Sequence, residues 1–145
     1  MIKLNNKGFT LVEVIGVVVI ITILAIILIP NVNVMLNKQK KTSLQNVKDS
    51  ILIASKSFVN DNRYNITVSG SSVLMIDDIT ISDGIIPVDV LIDRGYLKAT
   101  YGDNKIINPV NKNKCLSNNP VKVTWNSSKK RYKYTTSNLI WGSCE

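Results

Sequence analysis

The chain has no histidine among its 145 residues. Ser-His-Asp and Cys-His nucleophile pairs, and metal sites ligated by imidazole, are therefore excluded. Only seven glycines are present, and they form no glycine-rich loop of the kind that cradles phosphates. Internal repeats and low-complexity tracts are absent as well. Acids are scarce, 10 Asp and Glu against 18 Lys and Arg, for a formal net charge of +8. Five of those acids, Asp77, Asp78, Asp83, Asp89 and Asp93, lie close in sequence. Calcium wants several oxygen ligands, but this spacing fits no EF-hand, and aspartates favour turns in any case. The expectation is no metal, no cofactor and no catalytic residue; the chain does not read as an enzyme.

What the sequence does have is one long apolar run. From Phe9 to Ile29 only Thr10, Glu13 and Thr22 carry polar side chains, and only Glu13 carries charge. As a helix, ~21 residues rising 1.5 Å each make roughly 32 Å, enough for a hydrocarbon core about 30 Å thick. A polar, basic leader precedes it, residues 1–8 with Lys3 and Lys7, ending in Gly8. A secretory signal has a shorter apolar region and a small-residue cleavage site; Ile27-Leu28-Ile29-Pro30-Asn31 supplies neither. Lys3 and Lys7 flank one side of the run and Lys38, Lys40 and Lys41 the other, so the positive-inside rule leaves orientation open.

Glu13 has two readings. Thr10-Leu11-Val12-Glu13 fits a capping box, with Thr10 as N-cap and Glu13 reaching back to it, and an acid in the first turn suits the helix dipole. Yet a carboxylate at the edge of a membrane helix carries an insertion penalty, smaller than at its centre. Lys7 alone reads as a flanking charge and Pro30 alone as a helix end. Together they say more. Lys7-Gly8-Phe9-Thr10-Leu11-Val12-Glu13, followed by apolar residues as far as Ile29 and then Pro30, resembles the N-terminus of type IV prepilins and pseudopilins. The resemblance implies a peptidase that cuts between Gly8 and Phe9 and methylates the new amine of Phe9. It also implies copies of the chain or related pilins as partners, with a membrane assembly platform and a cytoplasmic ATPase. The chain would pass once through the cytoplasmic membrane, then enter a surface filament, with its C-terminal part outside. Loss of the leader would lower the net charge to +6.

Beyond Pro30 the helical pattern continues: Leu44, Val47, Ile51, Ala54 and Phe58 form one apolar stripe, and Asn60-Asp61-Asn62 reads as the stop. One helix from Thr10 to Asn60 would be about 75 Å long, with a bend at Pro30. Strands are expected at Tyr64–Val68, Val73–Ile76 and Ile79–Ile81. A short helix within Val88–Leu97, capped by Gly95, is one reading of an ambiguous stretch. Leu91 to Leu97, with Asn108-Pro109 further on, is similar to segments of Gram-positive pilin-like proteins. Val121–Trp125 and Arg131–Thr135 alternate by two around a turn, a hairpin, and Leu139–Trp141 adds a last strand. The fold class is α+β: leader 1–8, membrane helix 9–30, amphipathic continuation 31–62, and a small antiparallel sheet in 63–145 packed on the helix.

Cys115 and Cys144 bracket the hairpin. In an exported domain they read as a disulfide, the alternative being two thiols. The run Lys129-Lys130-Arg131-Tyr132-Lys133 invites a polyanion reading, since cations bind phosphates and rings stack on bases. Against it, Arg131 and Lys133 fit the wet face of a strand whose Tyr132 and Tyr134 point inward. Two functions remain: a pilin-like filament subunit, or a membrane-tethered binding domain, DNA among its ligands, that never polymerises.

Overall fold

The computed structural model describes residues 9–102 and 104–144, and leaves the side chains of residues 28–31 outside that description. The leader, including Gly8, lies outside the described residues. Helix α1 runs from Leu11 to Asp61, within one residue of the expected span at each end. Its stop is made by Asn62, whose Nδ2 donates to Phe58 O at 2.9 Å and so satisfies one of the last carbonyls. Within the apolar run Thr22 Oγ1 donates to Val18 O at 2.8 Å, so the hydroxyl is satisfied inside its own helix. The segments Leu11–Ile27 and Val32–Asp61 are bent by 41° at residues 28–31, where Pro30 lies.

No single helix among the described residues is long and apolar enough to cross a membrane; the bent pair meets that requirement together. The reason is length. The 17 residues from Leu11 to Ile27 rise only about 26 Å, short of a core about 30 Å thick.

The chain divides into two compact units, residues up to Gln39 and from Lys40 onward. In the second unit the outer half of α1 buries Ile51, Ala54, Phe58 and Val59 against Val73, Ile76, Ile81, Ile86, Leu91, Val121 and Val123. That is the stripe read from the sequence, widened by Val59 and by Ser55. Ser55 is fully buried, and its Oγ donates to Ile51 O at 2.7 Å.

The remaining elements are β1 (Ile66–Ser69), β2 (Ser72–Ile76), β3 (Ile79–Thr80), a 3-10 turn (Ser82–Gly84), α2 (Val88–Asp93), β4 (Lys114–Leu116), β5 (Val121–Asn126), β6 (Arg131–Thr136) and β7 (Trp141–Ser143). The main sheet has the order β1-β2-β5-β6, with β3 paired to β2, and every pairing is antiparallel. The β5–β6 hairpin forms where the alternation placed it, with a register that runs from Val121 opposite Thr136 to Asn126 opposite Arg131. Helix α2 ends as its sequence suggests: Gly95 has φ +78°, Tyr96 N donates to Leu91 O and Gly95 N to Ile92 O.

Three boundaries differ from the sequence reading. Tyr64 and Asn65 belong to a turn, because Asn65 N donates to Asn62 O at 2.8 Å and delays β1. Ile81 is buried but falls outside β3. Leu139 and Ile140 are not strand: Ile140 N donates to Asn118 Oδ1, and β7 starts only at Trp141. Its partner β4 is too short to announce itself. A second, two-stranded sheet joins them, with Cys115 opposite Gly142.

Candidate functional site

The candidate site begins at the first residue the structure describes. Phe9 lies before the helix and is 82% exposed. Thr10 then forms the capping box: its N–H and its Oγ1 each donate to Glu13 Oε2 at 2.9 Å, and Glu13 N donates to Thr10 Oγ1 at 3.3 Å. In the single chain the Glu13 carboxylate satisfies the helix start, within one turn of Phe9.

Beyond the cap, the described side chains as far as Ile27 have no cover. The large apolar side chains from Phe9 to Ile27 are 49–82% exposed. At about 25 cal/mol per Å2 of apolar surface, such a stretch is driven out of water into lipid or against other helices. The surface is apolar all round rather than on one stripe, which is the pattern of a helix surrounded by hydrocarbon or by its like.

In the second unit Cys115 and Cys144 are joined, with Cα atoms 4.8 Å apart, and Cys115 is buried. The bond ties β4 to the end of β7. Asn108, noted in the sequence only for the proline after it, is buried here. Its Oδ1 accepts from Val110 N at 2.8 Å and Asn111 N at 3.1 Å, and its own N–H donates to Lys114 O, which starts β4.

The basic run splits as the sequence suggests. Lys129, Lys130, Arg131 and Lys133 are exposed, while Tyr132 and Tyr134 are half-buried. Lys129 N donates to Asn126 Oδ1 at 2.8 Å, closing the turn. Tyr132 packs on Trp125 with ring centroids 4.8 Å apart, and Lys56 of α1 lies 5.9 Å from the Tyr134 ring. Burial, with a smaller contribution from Tyr132, pushes the Tyr134 hydroxyl up to about 12. A shallow pocket of about 310 Å3 is lined by Asn126, Lys129, Arg131, Tyr132 and Lys133. The four cations thus share one edge of the sheet, far in sequence from Phe9 and Glu13.

Among the described residues no three His, Cys, Asp or Glu side chains gather as a metal site. Of the acids between Asp77 and Asp93, Asp77 pairs with Arg94 and Asp93 accepts from Asn104, while Asp77, Asp78 and Asp83 stand at positive φ in turns. Gly84, which the sequence did not single out, is required by packing. Its φ is +73°, and a Cβ there would lie 2.2 Å from Val123 O.

A family model, the prokaryotic N-terminal methylation motif, matches residues 3–29. No curated protein and no solved structure matches the chain. The match takes in the leader from Lys3, then Phe9, Glu13 and the exposed apolar run. It is the signature of a type IV pilin-like precursor handled by a prepilin peptidase and anchored in the membrane by its N-terminal helix, and it points to a structural protein.

Proposed function

We propose that this chain is a structural subunit, a pilin or pseudopilin, of a type IV pilus-like filament. The observation that supports this best is the junction of the methylation motif with an apolar helix exposed on all sides. A peptidase removes residues 1–8 and methylates the amine of Phe9. The helix then holds the subunit in the cytoplasmic membrane, with the unit from Lys40 onward outside the cell. An assembly platform with a cytoplasmic ATPase draws subunits out of the bilayer, and Leu11 to Ile29 exchange lipid for the helices of neighbours. Exchange of one apolar surrounding for another costs little, so the register must come from something polar.

Glu13 supplies it. In the membrane its carboxylate caps its own helix through Thr10. In the filament it pairs with the methylated Phe9 amine of a neighbouring subunit, an attraction strengthened by low dielectric. A subunit in the wrong register leaves a buried carboxylate unpaired, which is strongly disfavoured. The test is the N-terminus of the membrane-held protein, read by intact mass and N-terminal sequencing. A chain starting at methylated Phe9 is expected; a chain retaining residues 1–8 removes the case for polymerisation and leaves a plain membrane-tethered domain.

A further inference from the structure

The strands of the main sheet hold no Asp or Glu, and their cations all stand on one face. Side chains alternate along a strand. Val121 and Val123 are buried, and Tyr132 and Tyr134 pack against the core, so Lys122, Arg131 and Lys133 point to solvent together. The register makes them neighbours. Lys122 lies opposite Thr135, Thr124 opposite Lys133 and Asn126 opposite Arg131. Lys122 is therefore the diagonal neighbour of Lys133, about 7–8 Å away. Arg131 follows two residues along β6, about 7 Å further. Lys129 and Lys130, both exposed, carry the row into the turn. The run from Lys129 to Lys133 is visible in the sequence, but only strand pairing adds Lys122 to it.

Hydroxyls and amides complete the face. Ser72 pairs with Thr124, and Trp125 N donates to Ser71 O, which sets the exposed β1–β2 turn beside the end of β5. Thr124, Asn126 and Thr135 stand opposite the three strand cations. Among the described residues the ion pair formed is Arg94–Asp77, which takes no cation of this face. The acid brought beside β5 is Asp83: Gly84 sits against Val123 O and Ile85 bridges to Lys122, so Asp83 flanks the middle of the strand. It is one charge against the five of Lys122, Lys129, Lys130, Arg131 and Lys133.

We propose that this face binds the phosphate backbone of duplex DNA without reading its sequence. Cations spread in a row over an open face suit a polymer of phosphates, whereas a single phosphate would need them to converge on one point. The Ser, Thr and Asn side chains beside them are the other usual donors to phosphate and sugar oxygens. Single strands are held by stacking on free rings. Here Trp125 packs on Tyr132 with centroids 4.8 Å apart, and Tyr134 lies beneath Lys56, so separated bases have no platform. An anionic membrane would take up apolar side chains beside the cations, and Ser71, Ser72, Thr124 and Asn126 offer none. The inference goes beyond the filament reading and does not depend on it: a subunit that stays tethered to the membrane carries the same face.

The test is the fluorescence anisotropy of a labelled DNA duplex titrated with the full chain in a non-ionic detergent, from about 50 to about 200 mM salt. Five phosphate contacts give a slope of log K against log salt of about −4.5, a loss of about 500-fold over that range. Lys122→Gln and Lys133→Gln should each flatten the slope by about 0.9. Lys98→Gln, outside the sheet, should leave it unchanged. Replacement of all five cations by Gln should abolish binding at the higher salt with the parental Tm retained, since each is exposed. A Lys122→Gln slope equal to that of the parent would overturn the face, as would duplex binding that survives loss of all five cations. Tighter binding of the single strand of the same length would overturn backbone recognition. Binding confined to phosphatidylglycerol vesicles would assign the cations to a membrane instead, and a parent chain that binds no duplex at the lower salt ends the proposal.

Discussion

Replacement of Glu13 by Gln separates the two roles of that side chain. In the single chain Glu13 Oε2 accepts from Thr10 N and Thr10 Oγ1, both at 2.9 Å. The Gln amide oxygen has the same reach, so the cap survives. Even its full loss would amount to about 0.5–2 kcal/mol, spread over a helix of 51 residues. Insertion into lipid should improve slightly, since no carboxylate is carried into the bilayer. In the filament the balance is different. Removing one partner of a buried ion pair leaves the other uncompensated, about 3–5 kcal/mol. At about 1.4 kcal/mol per factor of ten, that is a fall of about two to three orders of magnitude in the equilibrium for adding a subunit. The assay is the ratio of sheared extracellular filament to membrane-held subunit, compared with parent. Glu13→Gln should leave membrane-held protein at parental abundance, with the leader removed normally, and almost no sheared filament. Thr10→Ala is the control: it removes the hydroxyl contacts of the cap but not the charge, and filament should persist. An unchanged ratio in Glu13→Gln would refute the pairing and leave Glu13 as a cap.

Three further outcomes are expected. Cys115→Ser or Cys144→Ser should destabilise the second unit by about 3.6 kcal/mol on the chain-entropy account of a loop of ~30 residues, seen as a fall of at least several degrees in Tm; two alkylatable thiols in the native protein would contradict the bond. Gly84→Ala places a Cβ 2.2 Å from Val123 O on a backbone with φ +73° and should cost at least about 1–3 kcal/mol, a larger loss than Gly70→Ala, where nothing lies within 4 Å. The Tyr134 hydroxyl is raised from 10.0 to about 12 by burial first and Tyr132 second. Its contribution is therefore intact below pH 10 and should be lost between about 10 and 12, by roughly 1 kcal/mol once solvent screening of a half-exposed ring is allowed for; Tyr134→Phe should flatten that limb of a denaturation series.

Much of this was legible along the chain because it is local. A helix is made of contacts three and four residues apart, so the run from Leu11 and the stripe through Ile51, Ala54 and Phe58 can be counted in the sequence. The capping box of Thr10 and Glu13 spans one turn, and the β5–β6 hairpin needs only alternation and a turn between its strands. Gly8, Phe9 and Glu13 were marked by their order alone, and all three lie within the residues the methylation motif matches.

Tertiary structure decided what depends on partners far along the chain. Strand β4 has three residues and no pattern of its own; it exists because β7, Asn108 and the Cys115–Cys144 bond hold it in place. Gly84 looks like any other turn glycine until Val123, 39 residues on, leaves no room for a Cβ. The basic run and the β1–β2 turn were each visible in the sequence, but not that pairing of Ser72 with Thr124 would bring that turn beside the cations of the β5–β6 turn. A linear chain specifies which charges it carries; only the pairing of its strands sets the distance and direction between them.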